Sequence, residues 1–406
     1  MRKRYEVIVV GGGMSGAAVA CALGYGGVRA ALLDKAEPAR QWPPEPIDIR
    51  VSALTRASRL MLEQIGAWPG MVRRGVSAYR EMRVFDARGG GELHFDSADT
   101  EYNELGHIVE NRVTVAALWD VLDTLDSIDC ITPALVSGVE SDAEGMHLRL
   151  DDGRIFVADL VIAADGHDSA MRKMAGIGVT GWDYGQHGLV ATVTTELSHR
   201  ATAWQRFMDE GPLAFLPLAN GQCSIVWTLR SDTAKAHLAL PDPDFLDVLE
   251  QASNGLLGRM LAVGSRAAFP LRFQYANCYT ADHLVLVGDA AHVMHPLAGQ
   301  GANAGLLDAA AIAEIIMQTR HEQRSLEGRR LLRRYERWRK GDNLIMMGSM
   351  DVLNKTFGMQ GAELAGLRSA GMSWINRTAL LKNYFNRYAM GLRDDLPSLA
   401  RGKPCW

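Results

Sequence analysis

Residues 284–308 read LVLVGDAAHVMHPLAGQGANAGLLD and combine a strand, a glycine-rich loop and the start of a helix. The four apolar residues Leu284–Val287 predict a short buried strand that ends at Gly288 and Asp289. A loop rich in proline and glycine follows, and we expect a helix to begin near Asn303. Three glycines would let the backbone approach a flat or phosphorylated ligand closely, and they are Gly299, Gly301 and Gly305.

This segment offers two kinds of group to a ligand. The carboxylate of Asp289, at the end of the strand, can bind the hydroxyls of a polyol. The backbone amides of the loop, together with the positive end of the helix dipole, can stabilise an electron-rich ring. A flavin with its ribityl chain has both requirements, so the segment predicts a flavin site.

The N-terminal segment carries the pattern that binds the nucleotide part of such a cofactor. A β-rich run at 6–10, EVIVV, is followed directly by GGGMSG at 11–16 and by a helix-forming run at 17–23. A second apolar strand, Ala30–Leu33, ends at Asp34. Glycines for a tight turn, a helix N-terminus for the pyrophosphate and an acid for the ribose hydroxyls form the dinucleotide fingerprint in its proper context. The fingerprint suits NAD as well as FAD, and the glycine-rich segment described above favours FAD.

Three motifs resemble those of the flavoprotein aromatic hydroxylases, the single-component monooxygenases similar to para-hydroxybenzoate hydroxylase. They are GGGMSG at 11–16, AADGHDSAMR at 163–172 and LVGDAAHVMHPLAGQGANAGLLD at 286–308. Within that group the chain looks like a ubiquinone-biosynthesis hydroxylase, because it carries HPLAGQGANAG at 295–305 and LGHIVENRV at 105–113. The resemblance implies an α/β fold with a Rossmann-like FAD-binding domain, a mixed β-sheet substrate domain and a helical C-terminal region.

We expect the FAD-binding and substrate domains to be interleaved along the chain. Runs at 79–95 and 181–230 alternate polar and apolar residues, which predicts the strands of the substrate domain. After Arg50, a helix is expected through about Ile65. The FAD-binding parts are expected at 1–75, 112–180 and 276–345, the substrate-domain parts at 76–111 and 181–275, and the C-terminal helical region at 346–406.

The resemblance also assigns roles to individual residues. It implies that Asp289 binds the ribityl chain, that Asn111 and Arg112 flank the flavin, and that the amides of 299–303 surround its ring. The implied catalytic residues are Pro296, Gly299 and Gln300, with Pro296 close to the reactive edge. The full set implied to bind the cofactor is Gly11, Gly13, Met14, Ser15, Gly16, Asp34, Arg50, Asn111, Arg112, Asp165, Gly288, Asp289, Pro296, Gly299, Gln300, Gly301, Ala302 and Asn303.

Some of these residues have a second interpretation. Arg50 can reach a phosphate of FAD or of the nicotinamide nucleotide, because a guanidinium suits phosphate, but it can equally cap a helix on the surface. Asp165 belongs to a motif assigned to cofactor contacts, yet Asp-Gly after a strand is also an ordinary turn. His292 and His295 have no third soft ligand near them in the sequence, so we expect no metal site.

The implied reaction hydroxylates the ring of a polyprenylated phenol or benzoquinol with O₂. FAD would be reduced by NADPH or NADH and would react through a C4a-hydroperoxide. The sequence offers no candidate for a base that deprotonates the phenol, and it does not identify the ring carbon. Two other classes stay open: a flavoprotein reductase or oxidase, and a non-catalytic flavin-binding member of a biosynthetic complex.

Composition indicates the cellular context. The chain has 406 residues, a net charge of −4 and five cysteines without C-x-x-C spacing, which favours a reduced cytoplasmic protein and disfavours a nucleic-acid partner. We expect no signal peptide and no membrane span. Basic residues cluster from Arg320 to Lys340 over an apolar stripe. They predict either a solvated helix face or contact with the inner face of the membrane or with other ubiquinone-biosynthesis proteins. A homo-oligomer also stays open.

Overall fold

The computed structural model describes residues 2–43, 45–294, 299–326, 329–358, 366, 371–372, 376, 378, 387, 390–393 and 395–406. Its strands are β1 Arg2–Val10, β2 Ala30–Leu33, β3 Val51–Thr55, β4 Ser77–Tyr79, β5 Glu81–Asp86, β6 Glu92–Asp96, β7 Gly106–Glu110, β8 Ile128–Ile131, β9 Val136–Asp142, β10 Gly145–Leu150, β11 Ile155–Ala163, β12 Val179–Thr195, β13 Thr202–Phe207, β14 Pro212–Pro217, β15 Cys223–Arg230, β16 Met260–Ala276, β17 Thr280–Ala281, β18 Leu284–Leu286 and β19 His292–Val293. Its α-helices are α1 Met14–Tyr25, α2 Arg56–Gln64, α3 Trp68–Arg74, α4 Asn111–Leu122, α5 Ala170–Met174, α6 Ser231–Ala239, α7 Asp242–Ser253, α8 Gln300–His321 and α9 Arg329–Gly358.

The first sheet contains the glycine-rich turn of the N-terminus. β1 runs parallel to β2 on one side and to β11 on the other, while β8 and β18 extend the sheet in parallel. Val7–Val10 of β1 and Leu284–Leu286 of β18 are buried runs, as is typical of a parallel sheet covered on both faces. The carboxyl ends of these strands meet at one edge, which is where open α/β sheets bind their ligands.

The second sheet, ordered β19-β16-β12-β15-β14-β13-β5-β6, has two unlike faces. One face carries large apolar side chains, among them Phe215 and Trp227, and packs against α6 and α7. The other face carries smaller side chains, among them Ala214 and Val226, and lies toward a third sheet of β3, β7 and β4. Small side chains on this face leave room for a cavity between the two sheets.

The segment that follows Arg50 differs from the expectation of a helix. Residues Val51–Thr55 instead form β3, which pairs antiparallel with β7, and α2 begins only at Arg56. The Thr55 side chain accepts a hydrogen bond from the Ser58 N–H at 3.3 Å and so caps the new helix. Pairing with β7, which lies far along the chain, therefore overrides the local preference of this segment for a helix.

The glycine-rich segment near the C-terminal third folds largely as predicted. The strand expected at Leu284–Val287 is β18, and the helix after it is α8. The helix begins at Gln300 rather than near Asn303, and its N-cap Gly299 has the left-handed conformation at φ 62°, which glycine adopts without strain.

α9 carries the apolar stripe that the sequence predicts. Leu331, Leu332 and Tyr335 are buried, whereas the neighbouring Arg333 is exposed. Arg339 is also buried, so it does not belong to the solvated basic face. Within the described part of the chain, no helix is long and apolar enough to cross a membrane. Contact of the basic face with a membrane stays a prediction, as do the domain boundaries.

Candidate cofactor and active site

The turn between β1 and α1 is packed tightly on one side and open on the other. Gly11 has φ 104°, and a Cβ there would overlap the carbonyl oxygen of Ala164 at the end of β11. A Cβ at Gly16 would overlap the carbonyl oxygen of Gly11, whereas a Cβ at Gly13 would meet no atom within 4 Å. The turn therefore forms a cradle at the N-terminus of α1, of the kind that accepts a pyrophosphate.

The acid predicted at the end of β2 is held by the same turn. Asp34 Oδ2 accepts a hydrogen bond from the Gly12 N–H at 2.5 Å, and Oδ1 accepts one from the Ala36 N–H at 3.1 Å. Trp119 of α4 donates its indole N–H to the Gly12 carbonyl at 2.8 Å. No local pattern around Trp119 indicated this contact, because it depends on the packing of α4 behind the turn.

Ser15 brings the two glycine-rich segments together. A Cβ at Gly288 would lie 2.8 Å from Ser15 Oγ, and a Cβ at Gly305 would overlap the same oxygen. The Ser15 side chain thus occupies the space that both glycines leave. This places Asp289, whose side chain is exposed, beside the N-terminal turn.

Asp308 of α8 holds the turn that carries Asp289 through a buried polar cluster. Its carboxylate accepts hydrogen bonds from the Gly288 N–H at 3.1 Å, from Arg339 Nε at 2.7 Å and from Asn343 Nδ2 at 3.1 Å. His292 Nε2 lies 2.5 Å from Asp308 Oδ2. Burial alone would raise the pKa of Asp308, but His292 and Arg339 outweigh it and hold the pKa at about 2. His292 therefore serves this cluster, and its Nδ1 has no partner among the described residues.

The N-terminus of α8 is anchored to β3 by Asn303. The Asn303 amide accepts from the Thr55 N–H at 2.9 Å and from Ser58 Oγ at 2.7 Å, and donates to the carbonyl of Ala53 at 2.8 Å. It also donates to the Gly299 carbonyl at 3.1 Å, so the protein uses both ends of this side chain. Any contact of Asn303 with a cofactor is thereby limited to its backbone.

The remaining residues of this loop differ in their accessibility. Gln300 is buried, while Gly299, Gly301 and Ala302 are partly buried at the start of the helix. Pro296, expected beside the reactive edge, lies outside the described residues.

Asn111 and Arg112, at the start of α4, both have partners within the protein. Asn111 Oδ1 accepts from Ser52 Oγ at 2.6 Å. Arg112 donates from Nε to Glu110 at 2.8 Å and from a terminal nitrogen to the Pro46 carbonyl at 3.0 Å. Asn111 therefore ties the start of α4 to β3, Arg112 ties it to the loop before β3, and the predicted contact of both residues with the flavin stays a prediction.

Arg50 and Asp165 lie in different surroundings. Arg50 is exposed, with its guanidinium 5.9 Å from the ring centre of Phe269. Asp165 accepts hydrogen bonds from Ser169 Oγ at 2.6 Å and from the Met171 N–H at 3.0 Å, so it caps the short helix α5. These contacts give Asp165 partners within the protein, while its contact with a cofactor stays a prediction.

A cavity of about 110 Å³ lies between the third sheet and the small-residue face of the second sheet. Gly299 forms part of its wall, which connects the cavity to the N-terminus of α8. Its lining is mostly apolar and comprises Val51, Ala53, Tyr79, Met82, Ile108, Ala203, Trp204, Gln205, Pro212, Ala214, Leu216, Val226, Thr228 and Gly299. An apolar cavity with few polar groups suits a small aromatic ring.

Known proteins are similar to this sequence over nearly its whole length. The FAD binding domain family matches residues 4–341. Ubiquinone hydroxylase UbiL of Rhodospirillum rubrum is 37% identical over 402 residues, which cover 98% of this chain and 93% of that protein. The 3-demethoxyubiquinol 3-hydroxylase of Escherichia coli is 33% identical, over 95% of this chain and 98% of that protein.

A solved structure has the same fold. The crystal structure of the p-nitrophenol 4-monooxygenase PnpA from Pseudomonas putida matches with a TM-score of 0.80, over 98% of this chain and 100% of that chain. The sequences are only 17% identical, so this likeness concerns the fold alone.

We expect Gly16→Ala to destabilise the apoprotein by about 1–3 kcal/mol, because the added methyl group overlaps the turn itself. Gly13→Ala is the matched control, since its methyl group points into open space where the pyrophosphate is expected. It should weaken FAD binding without lowering the melting temperature of the apoprotein. Thermal unfolding and FAD titration of both variants measure this, and equal melting temperatures for the two would contradict the described packing.

We expect Asp308→Asn to cost about 3–5 kcal/mol of stability at neutral pH, because it removes the buried carboxylate that pairs with Arg339 and leaves only Asp342 beside that buried charge among the described residues. Since the folded-state pKa lies below the ordinary value, the carboxylate stabilises the fold fully above pH 3.8 and loses this effect as the pH falls toward 2. The difference in free energy of unfolding between wild type and variant should therefore shrink over that range. Denaturant unfolding at several pH values measures it, with the exposed Asp282→Asn as control. A difference that does not change with pH would contradict the assigned charge.

Proposed function

The chain belongs to the FAD binding domain family of flavoprotein monooxygenases, and from that membership we propose that it hydroxylates a polyprenylated phenol or benzoquinol intermediate of ubiquinone biosynthesis. O₂ supplies the oxygen, and NADPH or NADH supplies the electrons. The observation that carries the proposal is the apolar cavity whose wall includes Gly299, at the N-terminus of α8. Relatives named for acting on ubiquinone or demethoxyubiquinol support this class of substrate.

The residues of this site fit FAD. The cradle formed by Gly11, Gly13 and Gly16 would hold the pyrophosphate, and Asp34 would lie near the ribose. The exposed Asp289 would bind the ribityl hydroxyls. Bound FAD would supply the redox chemistry and the activation of oxygen, which the amino-acid side chains cannot provide.

The chain itself has to orient the substrate and exclude water. Peptide N–H groups at the N-terminus of α8, after Gly299, can stabilise negative charge that develops on a ring beside them. The apolar walls from Val51, Ile108 and Val226 keep water away from the reacting ring. Arg50 lies exposed beside Phe269, where its guanidinium can meet a phosphate of the incoming nicotinamide nucleotide.

We expect deletion of the gene in the source organism to cause a quinone precursor that lacks one ring oxygen to accumulate. Mass spectrometry of the extracted lipids measures this and identifies the ring carbon. Wild-type protein and the Asp282→Asn control should restore the quinone, whereas Asp289→Ala should not, because it loses most of its FAD.

Two results would contradict the proposal. An unchanged ubiquinone pool in the deletion strain would mean that the chain is not required for this hydroxylation. Accumulation of a precursor with all of its ring oxygens but an altered isoprenoid tail would instead indicate a reductase.

A further inference from the structure

We infer that Tyr79 and Gln205 bind the oxygen substituents of the substrate ring and so determine its orientation in the cavity. The inference rests on the proposed function. Both residues line the cavity between the second and third sheets, from opposite sheets. Neither stands out in the sequence, because each belongs to an ordinary strand.

The structure fixes the position of Tyr79 through its neighbours. β4 pairs with β7, and the Leu105 N–H donates to the Tyr79 carbonyl at 2.9 Å. A Cβ on the paired residue Gly106 would lie 2.6 Å from the Tyr79 hydroxyl oxygen. The absence of a side chain at Gly106 is therefore what leaves room for the phenol group.

The hydroxyl of Tyr79 is available to a ligand. It has no hydrogen-bond partner among the described residues, although the side chain is partly buried. Burial raises the pKa of Tyr79 to about 12, so the hydroxyl keeps its proton at neutral pH. A protonated phenol can donate a hydrogen bond to an oxygen on the substrate ring.

Gln205 faces the same cavity from the second sheet. Its strand partners are Ala214 on β14 and Val84 on β5, and side chains alternate along a strand. Gln205 and Ala203 therefore lie on the small-residue face, opposite the neighbouring Trp204. In the described part of the chain its amide makes no side-chain hydrogen bond, so it can both donate to and accept from a ligand.

The apolar walls of the cavity make the hydrogen bonds of Tyr79 and Gln205 selective for one orientation of the substrate ring. The side chains of Val51, Met82, Ile108 and Leu216 offer no hydrogen bond to a ring oxygen, and Thr228 adds a further hydroxyl to the lining. A ring that places its oxygens against these apolar walls would leave them unpaired, which is costly. The cavity therefore fits an aromatic ring with one oxygen at Tyr79 and a second at Gln205, with Gly299 at its edge.

Titration of the FAD-loaded protein and its variants with two defined ligands tests the inference. The probes are 2-geranylphenol and geranylbenzene, which differ only in the ring hydroxyl. Changes in the flavin absorption spectrum during titration give the two dissociation constants. Wild type should prefer the phenol by roughly three- to tenfold, and Tyr79→Phe should lose that preference.

Gln205→Leu gives a second and independent test with a second oxygen on the ring. Wild type should bind 2-geranyl-6-methoxyphenol more tightly than 2-geranylphenol, and Gln205→Leu should reduce or abolish this difference. The control is Tyr25→Phe, because Tyr25 is an exposed tyrosine that stacks on Trp406 and does not line the cavity. FAD content and melting temperature show that each variant is folded.

The outcomes separate the two proposals. If wild type binds and hydroxylates the phenol while both variants keep the wild-type preferences, the assignment of Tyr79 and Gln205 is wrong and the proposed function stands. If wild type binds and hydroxylates no phenol, the proposed function fails, and the assignment of these two residues fails with it.

Discussion

The buried carboxylate of Asp308 joins the segments that form the proposed cofactor site. It accepts hydrogen bonds from the turn at Gly288 and from Arg339 and Asn343 of α9, and it lies against His292. A buried charge is tolerated only when it is paired and hydrogen-bonded in this way. Because Asp289 follows Gly288 directly, the position of the predicted ribityl-binding acid depends on this cluster.

Close backbone packing positions the other segments of the site, which are the N-terminal turn, α8 and β3. Ser15 fills the space left by Gly288 and Gly305, so the N-terminal turn and α8 meet with this small side chain between them. Asn303 then fixes the start of α8 against β3, which forms one wall of the apolar cavity. Cofactor site and cavity are thus parts of one packed arrangement, and Gly299 belongs to both.

The sequence predicts those parts of the site that depend on local patterns. The strand, turn and helix at residues 6–23 and the segment at 284–308 carry their own signals, and the structure confirms both. β3 was missed, because its formation depends on pairing with β7. Arg339 was assigned to a basic surface, because only the packing of α9 on α8 turns it inward. Tyr79 has no local signal at all, since the cavity that it lines is formed by strands of two sheets that lie far apart in the sequence.

Oxygen transfer from O₂ to the ring is the step that distinguishes a hydroxylase from a flavoprotein reductase or oxidase and from a non-catalytic flavin-binding protein. The direct measurement is a reaction of the purified FAD-loaded protein with 2-geranylphenol, NADPH or NADH, and ¹⁸O₂, followed by mass spectrometry of the product. We expect a product with one added oxygen atom that carries the ¹⁸O label. Oxidation of the nicotinamide nucleotide without labelled product, across phenols and quinols of different tail lengths, would contradict the proposed hydroxylation.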